Sequence, residues 1–437
     1  MKKIAIFIIL VITSVFCPLK ADLGLNVPGN FKNPQAVKEV LAGKRKVANV
    51  AWWGFQKEDS TNALQSAINS GVENLIVPYM GSDWIVRPIK LTSNQKIVFD
   101  PGVVVIAKKG EFKGRNDCLF SAVGKKNIIL RGYGVTLKMQ KNDYTNTKLY
   151  EKSEWRIGVA LYGCSDVQMY GLTIEDTGGD GIYVGAHGDI ACKDIKIKDC
   201  IFDNNYRQGI SIISAENLLI DNCILRNTNG TGPSAGIDIE PNNEKNKLIN
   251  VVISNCVSEN NAGSGISVYL RQLSAKSANI TILIVNSFVR GCKYGFVIGA
   301  IKDDGPGGLI EFKNCSVENT RYAGAWIFDK SATRANLKFS NCKWRNVATQ
   351  RTDSEETMSI PIHFYHRKKI PIKKLGGVEF SDCYIYDEKA RPFLLASESN
   401  SDICDISGNI NIFNSFRTKM VLKPKSSNIS LKVNTFK

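Results

Sequence analysis

A glycine followed by an apolar, variable, apolar triplet returns along this chain at nearly constant spacing, and no other feature restricts the fold as strongly. The motif is clear at Gly181 (Gly181-Ile182-Tyr183-Val184), Gly209, Gly236, Gly265, Gly295 and Gly324, with gaps of 28, 27, 29, 30 and 29 residues. A weaker copy begins at Gly158. A fixed period in this range marks a solenoid, in which one repeat cannot bury its own apolar face and needs its neighbours. Between the glycines lie segments such as Ile197-Lys198-Asp199-Cys200-Ile201-Phe202 and Ile220-Asp221-Asn222-Cys223-Ile224-Leu225. They alternate as strands do and carry Asn or Asp at the bends, and none has a helical period. The pattern predicts an all-β chain, a single parallel β-helix with several short strands per coil.

The N-terminus reads differently. Lys2 and Lys3 precede an apolar run from Ile4 to Val15, and a cleavage point follows Ala21, the three zones of a secretory signal. Residues 1–21 are thus expected to be removed, and the chain to be secreted or periplasmic. The bulky Phe16 argues against lipidation of Cys17, and no other apolar run is long enough for a transmembrane helix. Residues 22–75 read as a cap that covers the open sheet edge of the first coil. Within them Asn33-Pro34 and Asp59-Ser60-Thr61 offer helix starts, the latter before Ala63, Leu64, Ala67 and Ile68 on one face. Residues 76–437 form the β-helix domain, broken from about Thr349 to Pro371 by an apparent insertion.

Twelve cysteines in an exported chain would ordinarily mean disulfides, yet loss of Cys17 leaves an odd number. Their recurrence once per repeat predicts an inward stack of small buried thiols. The close Cys-x-x-Cys pairs usual in a zinc site are absent, so no resident metal is expected. The formal net charge is +16, of which Lys2, Lys3 and Lys20 leave with the signal. Export and the lack of a basic stripe interleaved with aromatics point away from nucleic acid. An anionic polysaccharide fits better.

The stretches Ser60 to Asn69, Leu75-Ile76-Val77-Pro78 and Leu91 to Asp100, with Gly179-Asp180-Gly181-Ile182-Tyr183, Arg207-Gln208-Gly209-Ile210-Ser211 and Gly236-Ile237-Asp238-Ile239-Glu240-Pro241-Asn242, carry a resemblance. The chain resembles the pectate-lyase-like right-handed parallel β-helix superfamily over nearly its whole length after residue 21. The resemblance implies a right-handed coil and a carbohydrate-active protein. It does not select a reaction, because the superfamily includes lyases, hydrolases, epimerases and non-catalytic adhesins. The polygalacturonase set of Asn-x-Asp, Asp-Asp, Gly-His-Gly and Arg-x-Lys is not matched. Ala186-His187-Gly188 and Asp303-Asp304 stand in the wrong order, without an Arg-x-Lys partner.

Superposing the repeats places chemistry on one outer face. If Ile182, Ile210, Ile237 and Ile266 point inward, then Tyr183, Ser211, Asp238 and Ser267 point outward, followed two residues on by Gly185, Ile213, Glu240 and Tyr269. Asp is poorly suited to a strand interior, so Asp238 in a regular repeat is a signal. Asp180, Asp238 and Glu240 are the expected catalytic carboxyls, since glycosidic cleavage needs one protonated and one ionised carboxyl. Arg156 and Arg207, each two residues before a repeat glycine, are expected to hold acidic groups of the substrate. Tyr183, Tyr269, Arg271 and Trp326 are expected to line sugar subsites. His363 and His366 read as strand surface.

The reading is an exported glycoside hydrolase acting on an anionic polysaccharide. Two alternatives remain: a lyase or uronate C5-epimerase in which the three carboxylates hold Ca²⁺ and Tyr183, His187 or an arginine is the base, or a non-catalytic glycan-binding β-helix.

Overall fold

The computed structural model describes residues 31–350, 359–367, 370, 372–397, 401–423 and 425–437. Residues 1–21 lie outside the described residues, as do Cys17 and parts of the 349–371 stretch. Twenty-two strands join in one sheet and twelve in a second. The strands of the second sheet follow chain order, from Ile89–Lys90 to Met420–Leu422. Each pairs in parallel with the next coil, so the chain winds into a β-helix. Part of the expected insertion is regular: Ile362–Tyr365 is the next strand of this second sheet, paired with Ala325–Lys330.

The glycine period has a steric cause. A Cβ on Gly181 would come within 2.6 Å of the carbonyl oxygen of Gly209, and one on Gly209 within 2.5 Å of that of Gly236. At these strands, and at Gly236 and Gly295, the chain enters against the backbone of the next coil, whereas a Cβ at Gly265 or Gly324 would first strike the side chain of Val289 or Trp344. After the glycine, Ile182, Ile210, Ile237, Ile266 and Phe296 stand in register and buried, as the alternation requires.

The bends are built from asparagine. Asp199, Asn222, Asn255, Asn286, Asn314 and Asn341 all have φ between 51° and 57°, a left-handed conformation that Asn and Asp tolerate. Their amides donate along the stack, from Asn222 to Asp199 at 2.7 Å, from Asn314 to Asn286 at 3.2 Å and from Asn341 to Asn314 at 3.0 Å. Next to them Cys200, Cys223, Cys256, Ser287, Cys315, Cys342 and Cys383 occupy one register position. The stack is therefore narrower than one cysteine position per coil for all of them. Cys164 and Cys192 share a different bend, and Cys118, Cys292 and Cys404 lie elsewhere.

Two helices precede the coils. Pro34–Leu41 starts with proline at its first position, and the side chain of Asn33 accepts from Ala36 N at 2.9 Å. Thr61–Asn69 buries Ala63, Leu64, Ala67 and Ile68. Its start is held by Asp59 rather than Ser60: Thr61 N and Oγ1 both donate to Asp59 Oδ1. Both helices contribute to the same apolar core as the coils.

All eleven described cysteines are buried and free. A thiol reagent is expected to leave them unmodified in the native state and to titrate all eleven in denaturant, and reductant should not move the melting temperature. Cys256→Ala, which removes one buried sulfur, should cost about 1 kcal/mol in urea unfolding.

Candidate functional site

The outer face of the twelve-stranded sheet carries a ladder of side chains whose order follows from the register. Tyr183, Ser211, Asp238, Ser267, Val297 and Trp326 are successive rungs. A parallel ladder two residues on holds Tyr269, Gly299 and Phe328, with Glu240 one coil before Tyr269. The face forms a groove along the helix axis. One cleft of about 860 Å³ is lined by Tyr162, Tyr183, Trp155, Arg207, Glu240 and Asn242. A second, of about 430 Å³, is lined by Asp238, Glu240, Ser267, Tyr269, Trp326 and Phe328. Glu240 belongs to both, so the carboxylates stand at the middle of the groove.

Arg207 organises that centre. Its guanidinium lies 3.5 Å from Asp180 Oδ2, 3.7 Å from Glu154 Oε1 and 3.9 Å from Glu240 Oε2. Glu154, on the segment before the Gly158 repeat, was not among the residues expected at the site. Its nearness in sequence to Arg156 marks it as a local ion-pair partner for an arginine, and the arginine it faces is Arg207. Three carboxylates thus surround Arg207, none of them within hydrogen-bonding distance; its Nε has no hydrogen-bond partner, and its side chain lines the first cleft.

The two aspartates differ in access. Asp180 is completely buried and neither of its oxygens has a hydrogen-bond partner. It lies beneath Arg207 and does not line either cleft, so it cannot touch a ligand; its place is to hold Arg207. Burial raises its pKa to about 7, against the opposing charge of Arg207. Asp238 is 3% exposed on the groove floor. Ser267 Oγ donates to its Oδ1 at 2.5 Å and Gln208 Nε2 to its Oδ2 at 3.1 Å. Burial, and then the negative charge of Glu240, raise its pKa to about 7. Gln208 is fixed in turn, because Ala235 N donates to its Oε1 at 2.9 Å.

The other expected positions divide. Tyr183 lines the first cleft, its hydroxyl accepting from Asn242 Nδ2 at 3.2 Å and its ring 5.4 Å from that of Tyr162. Tyr269 and Trp326 line the second, where Trp326 stacks on Tyr294 at 5.0 Å. Arg156 is not at the groove. It is fully buried, donates to the carbonyls of Phe112 and Glu151 at 2.8 and 2.9 Å, and sits 5.4 Å from the ring centres of Tyr144 and Tyr150, a structural pin for the 141–156 segment. Equivalent repeat positions thus hold arginines with opposite fates, because the loop wrapped over Arg156 closes it off. Arg271 stands exposed in the turn after its strand and lines neither cleft. His187 is exposed on a turn beyond the groove. His363 and His366, expected on the surface, are buried: His363 Nε2 is 2.9 Å from Ser397 Oγ, and His366 Nδ1 is 2.9 Å from Ser401 Oγ. Among the described residues no three His, Cys, Asp or Glu side chains converge as metal ligands, and no helix is long and apolar enough to cross a membrane.

The family described as "Right handed beta helix region" matches residues 89–250. The SPbeta prophage-derived uncharacterized protein YorA of Bacillus subtilis (strain 168) is 26% identical over 163 residues, 35% of this chain and 28% of that protein. The chain therefore spans under a third of this relative's length. Among solved structures, the family 28 exopolygalacturonase of Yersinia enterocolitica is similar with a TM-score of 0.58 and 13% identity, covering 89% of this chain and 78% of the enzyme. The mannuronan C-5 epimerase AlgE6 A-module of Azotobacter vinelandii is similar with a TM-score of 0.54 and 11% identity, covering 89% of this chain and 99% of the module. At such identities the likeness is one of fold.

The buried Asp180 makes a thermodynamic prediction. Its carboxyl titrates near 7 when folded and near the ordinary 3.8 when unfolded, so the folded state binds the proton more tightly. That stability is fully present below about pH 4 and is lost as pH rises through about 7. Thermal melts of wild type and Asp180→Asn across pH 4 to 8 should show the wild type losing stability relative to the variant as pH rises; parallel curves would refute the shift.

Proposed function

We propose that this chain, whose residues 89–250 match the family described as "Right handed beta helix region", is an exported enzyme that hydrolyses an anionic polysaccharide laid along the groove. The observation that carries the reading is the pair Asp238, on the strand Ala235–Ile239, and Glu240, just past its end, with the two clefts meeting at Glu240. Asp238, with its proton retained near neutral pH by burial and by Glu240, is the general acid for the leaving oxygen. Glu240, half-exposed and held by Arg207, activates water from the opposite side. Residues two apart along an extended chain have Cα atoms about 7 Å apart, and carboxyls about 6.5 to 9.5 Å apart would leave room for a water and give inversion. Asp180, which its place in the repeat groups with the other two, acts through Arg207 as a positioning residue.

A Ca²⁺-dependent lyase or C5-epimerase would need a cation among these carboxylates. The guanidinium of Arg207 already lies within 4 Å of Asp180, Glu154 and Glu240, which supports the hydrolytic reading. In a lyase Tyr183, His187 or an arginine would serve as base, and burial raises the pKa of Tyr183, against that role for the tyrosine.

Incubation with neutral, uronate and sulfated polysaccharides, with and without EDTA, should release reducing ends without ultraviolet-absorbing products. Unsaturated products that disappear with EDTA would establish the lyase, and binding without any product the glycan-binding protein. Asp238→Asn and Glu240→Gln should each lower turnover about 100-fold or more while leaving the fold intact, as the circular dichroism spectrum checks. Turnover should fall as pH rises above about 7, where Asp238 loses its proton. Proton NMR of the first product should show the inverted anomer.

A further inference from the structure

The second cleft has a composition that acid/base cleavage at Asp238 and Glu240 does not call for. Three coil spacings beyond those residues, about 14 Å, Trp326 and Phe328 form an aromatic wall with ring centres 4.6 Å apart, extended by Tyr294 and Tyr269. Arg367 lies over this wall, its guanidinium carbon 4.0 Å from the ring centre of Phe328. It is held there by Asp329, which accepts from Arg367 N at 2.7 Å and from Nε at 2.8 Å. Asp329 is completely buried, with φ 47°, the left-handed conformation that Asn and Asp tolerate. Lys293 lines the same cleft, 5.5 Å from the ring of Tyr294, and among the described residues it has no ion pair.

We propose that this pocket is a recognition subsite for an acidic sugar unit, with Arg367 and Lys293 selecting the acid and the aromatic wall taking the apolar face of the ring. Asp329 fixes the Nε edge of Arg367, so the guanidinium is held in one orientation, as two-pronged recognition of a carboxylate or sulfate requires. Lys293 supplies a cation that forms no ion pair with any carboxylate among the described residues. The groove is consequently polarised, with carboxylates where cleavage is placed and cations three coils away. An acidic group is repelled from the first and drawn to the second, which sets the register of the chain. This deepens the hydrolase reading and rests on it for the position of the cleaved bond.

The test measures binding on the Asp238→Asn background, where turnover does not interfere. The ligands are uronate hexasaccharides, the same chains after carboxyl reduction, and sulfated hexasaccharides with their desulfated counterparts. Removing the acid should weaken binding about tenfold, the worth of one charge-assisted fork. The uronate and sulfate series identify which acid is read. Arg367→Gln should weaken the acidic ligand about tenfold and leave the neutral one unchanged, while Arg367→Lys recovers part of the loss. Because Arg367→Gln strands the buried Asp329, the double variant Arg367→Gln/Asp329→Asn is measured beside it, with melting curves for both. Equal loss for acidic and neutral ligands, no loss for either, or no wild-type preference for any acidic ligand would each overturn the proposal. A protein that binds by this rule yet cleaves nothing would remove the hydrolase reading and leave this one standing.

Discussion

The backbone ladder between coils is the interaction on which the rest depends. Parallel strands about 4.8 Å apart bond each coil to the next, and every side chain on an outer face then has fixed neighbours above and below. Glycine at the strand entrance permits this spacing, since any Cβ at Gly181 or Gly209 would strike the carbonyl of the next coil. Asparagine at the bends gives the matching left-handed turn and bonds along the stack. Asp238 meets Ser267 and Gln208 only because the ladder sets those residues on the adjoining coils.

Upon that frame the groove is governed by one buried cation. Arg207 is 15% exposed and draws Glu154, Asp180 and Glu240 around it. Without it, two buried aspartates and two glutamates would share a small volume, which like-charge repulsion and desolvation oppose. With it, Asp180 is tolerated in complete burial and Glu240 is held at the groove. Asp238 keeps its raised pKa because burial and the charge of Glu240 outweigh the hydrogen bond from Ser267 and the charge of Arg207.

The aromatic end of the groove obeys the same register logic. Trp326 and Phe328 come from one strand, and Tyr269 and Tyr294 from the two before it, so four rings gather without any loop between them. Arg367 arrives from the segment after Ile362–Tyr365 and is fixed by Asp329 from the preceding coil. The clefts on either side of Glu240 therefore differ in character, one polar and one aromatic with cations, though the backbone beneath them repeats.

Periodicity alone was sufficient for the β-helix, for the inward isoleucines, and for the outward positions of Tyr183, Asp238, Glu240, Tyr269 and Trp326, because alternation and a near-constant repeat leave few ways to stack the coils. The same periodicity made Arg156 and Arg207 equivalent and treated the three carboxylates alike. Only the tertiary structure separated them: it buried Arg156 under the 141–156 segment, sealed Asp180 beneath Arg207, brought Glu154 in from a non-repeating stretch and placed both strand histidines inside. Repeat spacing records where a side chain leaves the backbone, whereas access and charge depend on what other parts of the chain lie over it, and those parts do not repeat.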